Sequence, residues 1–153
     1  MSLSIDDLNT REKQLYSVVT DLINKKQKFR VEARGHSILY HSQIIGGTPM
    51  INITKYVTSP TIDTKTNILT VSPGQRLVEV GSYLQKYGLR LYGVPESSDI
   101  TIGGAVLMGA HGGGSFKCLA EYVTEMWLID GLGKLQIISD SNLFTKLLIL
   151  IFL

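Results

Sequence analysis

Six glycines and a histidine crowd the stretch "TIGGAVLMGAHGGGSF", Thr101 to Phe116. Glycine loses more freedom on folding than any other residue, so this density implies left-handed turns, tight packing or a ligand against the main chain. Two chemistries suit it. One is the HGGG oxyanion loop of esterases and lipases; the other is a cradle of backbone amides for a phosphate-bearing cofactor. The esterase reading needs a G-x-S-x-G nucleophile elbow downstream. The nearest stretch, "GHSIL" from Gly35 to Leu39, lacks the final glycine and lies upstream, so order and motif both argue against hydrolysis.

Other chemistries find less support. His36, His41, His111 and Cys118 show no paired-helical or C-x-x-C spacing, so no metal site is expected. No G-x-x-x-x-G-K-[ST] occurs, and Gly131 and Gly133 of "DGLGKL" read as hairpin-turn residues. Two glycine-containing segments remain, about 70 residues apart, each with hydroxyls and a histidine. Together they suit an anion such as a pyrophosphate, and a helix starting near Gly103 would add its positive end. The residues alone leave tight structural turns as an equal reading. Glu96, Asp99 and Glu121 read as solvated loop carboxylates, since nothing pairs them for acid–base work. Met126 and Trp127 read as core.

Helices and strands alternate around these segments. Leu15, Val18, Val19, Leu22 and Ile23 form an apolar stripe that predicts a helix over Thr10 to Lys26, with Thr10 as its cap. Phe29 to Glu32 and "PMINIT" read as strands. "TIDTKTNILT" reads as a hairpin turning at Asp63 to Asn67. Arg76 to Tyr87 resumes helical spacing through Leu77, Val80 and Leu84 and stops at Gly88. "EYVTEMWLIDGLGKLQIIS" predicts a second hairpin, and a further helix is expected from Asp140. The mixture predicts an α+β domain.

The 153 residues suffice for one domain that buries roughly 70% of its unfolded surface. A net charge of +2, with Lys25, Lys26, Lys28 and Arg30 as the one basic cluster, argues against a nucleic-acid partner; that cluster is expected to close a helix. The single cysteine allows no internal disulfide and fits a reducing compartment. A cytoplasmic location is expected. Leu147 to Leu153, "LLILIFL", is too short for the roughly 20 residues of a membrane span. It is expected to be a buried element or a surface for self-association or membrane contact.

A resemblance bears on the open choice. "RVEARGHS", Arg30 to Ser37, resembles the R-x-x-G-x-G-H-S pyrophosphate loop of the vanillyl-alcohol oxidase flavoprotein family, with Ala33 in place of the first glycine. The downstream run from "LTVSPGQRL" to "ITIGGAVLMGAHGGG", with the final hairpin, is similar to the aldonolactone oxidase branch, the gulonolactone and arabinonolactone oxidases. Several motifs occur in the same order across residues 8 to 146. The resemblance implies a PCMH-type FAD-binding domain of two α+β subdomains with FAD extended between them. It implies that Ala33, Arg34, Gly35, His36 and Ser37 wrap the pyrophosphate. Thr101, Ile102, Gly103 and Gly104, with Gly109, Ala110, His111, Gly112 and Gly113, would line the ribityl and flavin side. It also implies His36 as the candidate for a covalent bond to the flavin 8α-methyl carbon.

The same resemblance sets the expected extent. Residues 8–153 would be the FAD-binding domain, incomplete at its C-terminus, preceded by a tail over 1–7, with the substrate-binding cap domain absent. No catalytic residue is assigned. Two functions follow as expectations: the FAD-binding domain of an oxidoreductase for a sugar-derived alcohol or aldonolactone, or a non-catalytic flavin-binding remnant of that fold. A sugar or polyol substrate is expected only where a cap is supplied.

Overall fold

The first long helix starts where an Asn side chain can take up its free amides. Asn9 Oδ1 accepts from the N–H groups of Arg11 at 2.9 Å and Glu12 at 3.0 Å, and the Glu12 carboxylate accepts the Asn9 N–H at 2.9 Å. This reciprocal cap opens α1, Thr10–Asn24. Thr10, expected as the cap, is instead the first helical residue, because the amide oxygen one position earlier reaches both donors. The basic cluster closes the helix as expected: Lys25 is its C-cap and bonds Asp21 at 2.7 Å. Residues 5–7, read as tail, form one exposed 3-10 turn, after which Leu8 is buried.

A computed structural model describes residues 4–36, 48–114 and 117–139. The expected helix from Asp140, the apolar Leu147 to Leu153 and residue Ser37 lie outside the described residues. Strands β1 (Arg30–Glu32) and β2 (Met50–Asn52) pair in parallel, Val31 opposite Ile51. β3 (Thr61–Asp63) and β4 (Ile68–Thr70) form an antiparallel hairpin, with Asp63 opposite Ile68 and Asn67 left-handed at φ 57°. β5 (Met126–Ile129) and β6 (Leu135–Ile138) form the second hairpin, closed by Asp130, whose carboxylate accepts the N–H groups of Leu132 and Lys134. Among the described residues the strands make three two-stranded sheets.

Two helices build the core beside the site. α2, Leu77–Gln85, buries Leu77, Val80 and Leu84 at helical spacing and gives way to left-handed Gly88. α3, Ile102–Leu107, buries Ala105 and Val106. Leu77, Ala105 and Val106 pack with Leu119 and Ala120 from the 3-10 turn at Leu119–Tyr122; Ile100, Ile102, Ala110 and Met126 close over them. Trp127, expected in the core, is 47% exposed with its Nε1–H on Glu125. Strand alternation is the reason: Met126 faces the core, so its neighbour faces away. Among the described residues no helix is long and apolar enough to cross a membrane.

Candidate functional site

The glycine segment is anchored by an extended pairing ahead of α3. The Leu77 N–H donates to the Ile100 carbonyl at 3.0 Å and Val78 N–H to Ser98 at 2.9 Å; in return Ile102 N–H donates to Gln75 at 2.8 Å and Gly103 N–H to Pro73 at 2.8 Å. Thr101, 3% exposed, caps α3 through Oγ1, which accepts the Gly104 N–H at 3.3 Å. A helix does start near Gly103, as expected, but what its positive end offers an anion is limited to its dipole. The first amides of α3 already donate inside the protein, so they present no free donors to an anion.

The glycines of this run do two different jobs. A Cβ on Gly103 would stand 2.8 Å from the Pro73 Cβ and 3.0 Å from its carbonyl oxygen, and one on Gly112 would collide with the Val94 carbonyl. Both are needed for main chain to approach main chain. Gly109 is left-handed at φ 60° and, like Gly113 and Gly114, would place a Cβ in open space with no atom within 4 Å. Gly109 and Ala110 close α3 by donating to Val106 and Ala105 at 3.2 and 2.8 Å. Beyond them, the amides of His111, Gly112, Gly113 and Gly114 donate to no acceptor among the described residues. His111 is exposed, and its ring has no hydrogen-bond partner among the described residues.

The upstream loop leaves β1 at Ala33, whose carbonyl accepts from Asn52 Nδ2 of the paired strand at 3.4 Å. Gly35 is left-handed at φ 74°, with open space where a Cβ would stand. Arg34, Gly35 and His36 are exposed, and their amides also lack acceptors among the described residues. Their position is set by Asp99. Its Oδ2 accepts Arg34 Nη2 at 3.0 Å and lies 2.9 Å from His36 Nε2, and its Oδ1 accepts Arg76 Nη1 at 3.0 Å.

Asp99 thus corrects the expectation of a carboxylate that merely meets solvent: it joins the upstream loop to the start of α2. The Arg76 guanidinium above all, then His36 and Arg34, hold its carboxyl well below the usual carboxylate range. Glu79 grips Arg76 from the other side at 2.7 Å, is itself lowered by that contact, and raises the guanidinium in turn. Spacing could not reveal this cluster, because its members lie up to 65 residues apart in the chain. Glu121 accepts the Cys118 N–H and so caps a turn, while Cys118 is a free thiol. Among the described residues no group of His, Cys, Asp and Glu could hold a metal ion.

Two stretches of amides without acceptors among the described residues, each beside an open glycine, form a donor set suited to a long anionic dinucleotide. Residues 9–139 match the family model described as an FAD binding domain. The chain belongs to the FAD-binding domain family. Its cofactor is FAD, which the open Gly35 and Gly113 and the donor set fit.

This FAD-binding domain is 30% identical over 144 residues to L-gulonolactone oxidase 5 of Arabidopsis thaliana, covering 87% of the chain and 24% of the relative. L-gulonolactone oxidase 2 of the same plant is 29% identical over 142 residues, with 86% and 24% covered. The chain spans about a quarter of the length of the curated relatives it matches. A xylooligosaccharide oxidase from Myceliophthora thermophila C1, solved in complex with xylobiose, superposes with a TM-score of 0.74 at 24% identity, over 88% of this chain and 30% of that one. Cholesterol oxidase from B. sterolicum reaches 0.69 at 17% identity, over 82% and 27%. These two likenesses are of fold, and they agree with the PCMH-type α+β architecture.

Proposed function

We propose that this FAD-binding domain is the flavin-holding part of an oxidoreductase that acts on the CH–OH group of a sugar-derived alcohol or an aldonolactone. The observation that carries the reading is the 30% identity, along 87% of the chain, to a protein named L-gulonolactone oxidase. FAD, when bound, supplies the hydride-accepting chemistry. The chain's own task is to hold and orient it.

In this reading Ala33, Arg34, Gly35, His36 and Ser37 wrap the pyrophosphate with main-chain N–H groups. Gly109 and Gly113 offer bare backbone to the ribityl and flavin side, and His111 lies beside them. Thr101, Ile102, Gly103, Gly104, Ala110 and Gly112 act one step back, by fixing the main chain that makes those surfaces. His36 is the residue that bonds the flavin 8α-methyl carbon through an imidazole nitrogen. A sugar or polyol meets the flavin where a substrate-binding segment completes the site. Self-association through Leu147 to Leu153, in the cytoplasm or against a membrane surface, belongs to the same proposal, with sedimentation of the chain as its check.

Colour decides between this and a chain that has lost its cofactor. The purified protein is expected to show a flavin spectrum, as isolated or after incubation with FAD. Flavin that stays with the chain after denaturation, and is released from His36→Ala, supports the bond to His36. A colourless protein that takes up no FAD overturns the proposal.

A further inference from the structure

Asp99 is fixed by its own backbone before any side chain is considered. The carbonyls on either side of it, Ser98 and Ile100, accept the Val78 and Leu77 amides at 2.9 and 3.0 Å. Ile100 packs on the core, while Asp99 lies in the turn just before it with its side chain 39% exposed. There it meets Arg34, His36 and Arg76, and Arg76 is itself held by Glu79. These are the charged groups facing the carboxylate among the described residues.

An ionised carboxylate only accepts hydrogen bonds. Two guanidinium groups keep Asp99 ionised, so the 2.9 Å contact with His36 requires Nε2 to carry the hydrogen. In a neutral imidazole the other nitrogen, Nδ1, is then the one with the lone pair. We propose that Asp99 is a positioning residue for His36: it holds the ring by Nε2–H and leaves Nδ1 as the free, nucleophilic nitrogen of the upstream loop. The use of that nitrogen rests on the reading that His36 faces the flavin. The choice of nitrogen does not, because it is a property of the chain alone.

Regiochemistry of alkylation reads the choice directly. The Cys118→Ser chain, free of competing thiol and produced without flavin so that His36 is unmodified, is treated with iodoacetamide, and FAD uptake is measured on a separate sample. The Nδ1 and Nε2 derivatives of His36 are then separated after hydrolysis against authentic standards, with His111 as the internal reference. His36 is expected to react mainly at Nδ1. Asp99→Asn keeps the shape but leaves one acceptor oxygen for three donors, and the Nδ1:Nε2 ratio is expected to fall about fivefold, as suits a charge-assisted bond at a half-exposed site. Asp99→Ala is expected to shift it in the same direction, and neither variant to alter His111. Thermal melting confirms that each variant folds.

A ratio equal in all three chains, or Nε2 dominant in the unmodified chain, overturns the role of Asp99. A ratio that shifts in a chain that binds no flavin supports the role of Asp99 and overturns the flavin reading. Flavin bound in every chain with an unshifted ratio does the reverse.

Discussion

The two loops proposed to hold FAD are held by different physics. The stretch from Thr101 to Gly114 is set by packing and main-chain hydrogen bonds: a buried threonine cap, glycines against Pro73 and Val94, and α3 pressed into the core. Arg34 to His36 sits in the open, and what places it is a carboxylate shared by two arginines and a histidine whose side chains are 35% to 43% exposed. Packing of the first kind is indifferent to pH and salt. Ion pairs of the second kind are screened and titrate. One wall of the proposed site is thus set by packing, and the other by charge.

Glycine substitutions test the contrast most severely. Gly103→Ala forces a Cβ against Pro73, and overpacking of this sort costs roughly 1–3 kcal/mol in urea unfolding. Gly113→Ala, with no atom within 4 Å of the new methyl, should stay within about 0.5 kcal/mol while weakening FAD binding. Equal costs at the two positions would break the division into packing and open glycines. A smaller effect is expected at the cap, where Thr101→Val removes the acceptor of the Gly104 amide and loses about 1 kcal/mol by the same measurement.

The charged wall responds to acid instead. Asp99 and Glu79 are both lowered from their ordinary values, so each contributes stability that is complete above the ordinary carboxylate range and is lost as pH falls toward the lowered value. Melting temperature is therefore expected to drop as pH falls below about 4, and to drop less steeply in Asp99→Asn. Parallel slopes would remove Asp99 from the account. The smallest effect is expected from salt. At about 1 M, where the screening length is near 3 Å, the Nδ1:Nε2 alkylation ratio of His36 should fall part of the way toward that of Asp99→Asn, while amide exchange at Ala105 and Val106 stays unchanged.

Much of this was legible in the chain itself. The stripe through Leu15 to Ile23, the turn at Asp63 to Asn67 and the Gly88 stop are local signals, and the elements formed where those signals lie. Where reading failed, the competing term was local geometry or distance. Asn9 outcompeted Thr10 by one residue, and strand alternation turned Trp127 outward. Asp99 looked like any loop carboxylate because its partners come from Arg34, His36 and Arg76, which no spacing rule connects.

The glycine-rich stretch and the "RGHS" loop, with their order in the chain, are properties of sequence, and with them came the FAD-binding family and the α+β class. Periodicity and turn signals suffice for the class, since they record which residues can turn or pack; the family came from the resemblance of the ordered motifs and from the match over residues 9–139. Which glycines serve packing and which stay open was decided only when Pro73 and Val94 came to lie against two of them. Which nitrogen of His36 is engaged was likewise decided by Asp99 arriving from 63 residues away. Both are contacts between distant segments, and only the folded chain brings them within reach.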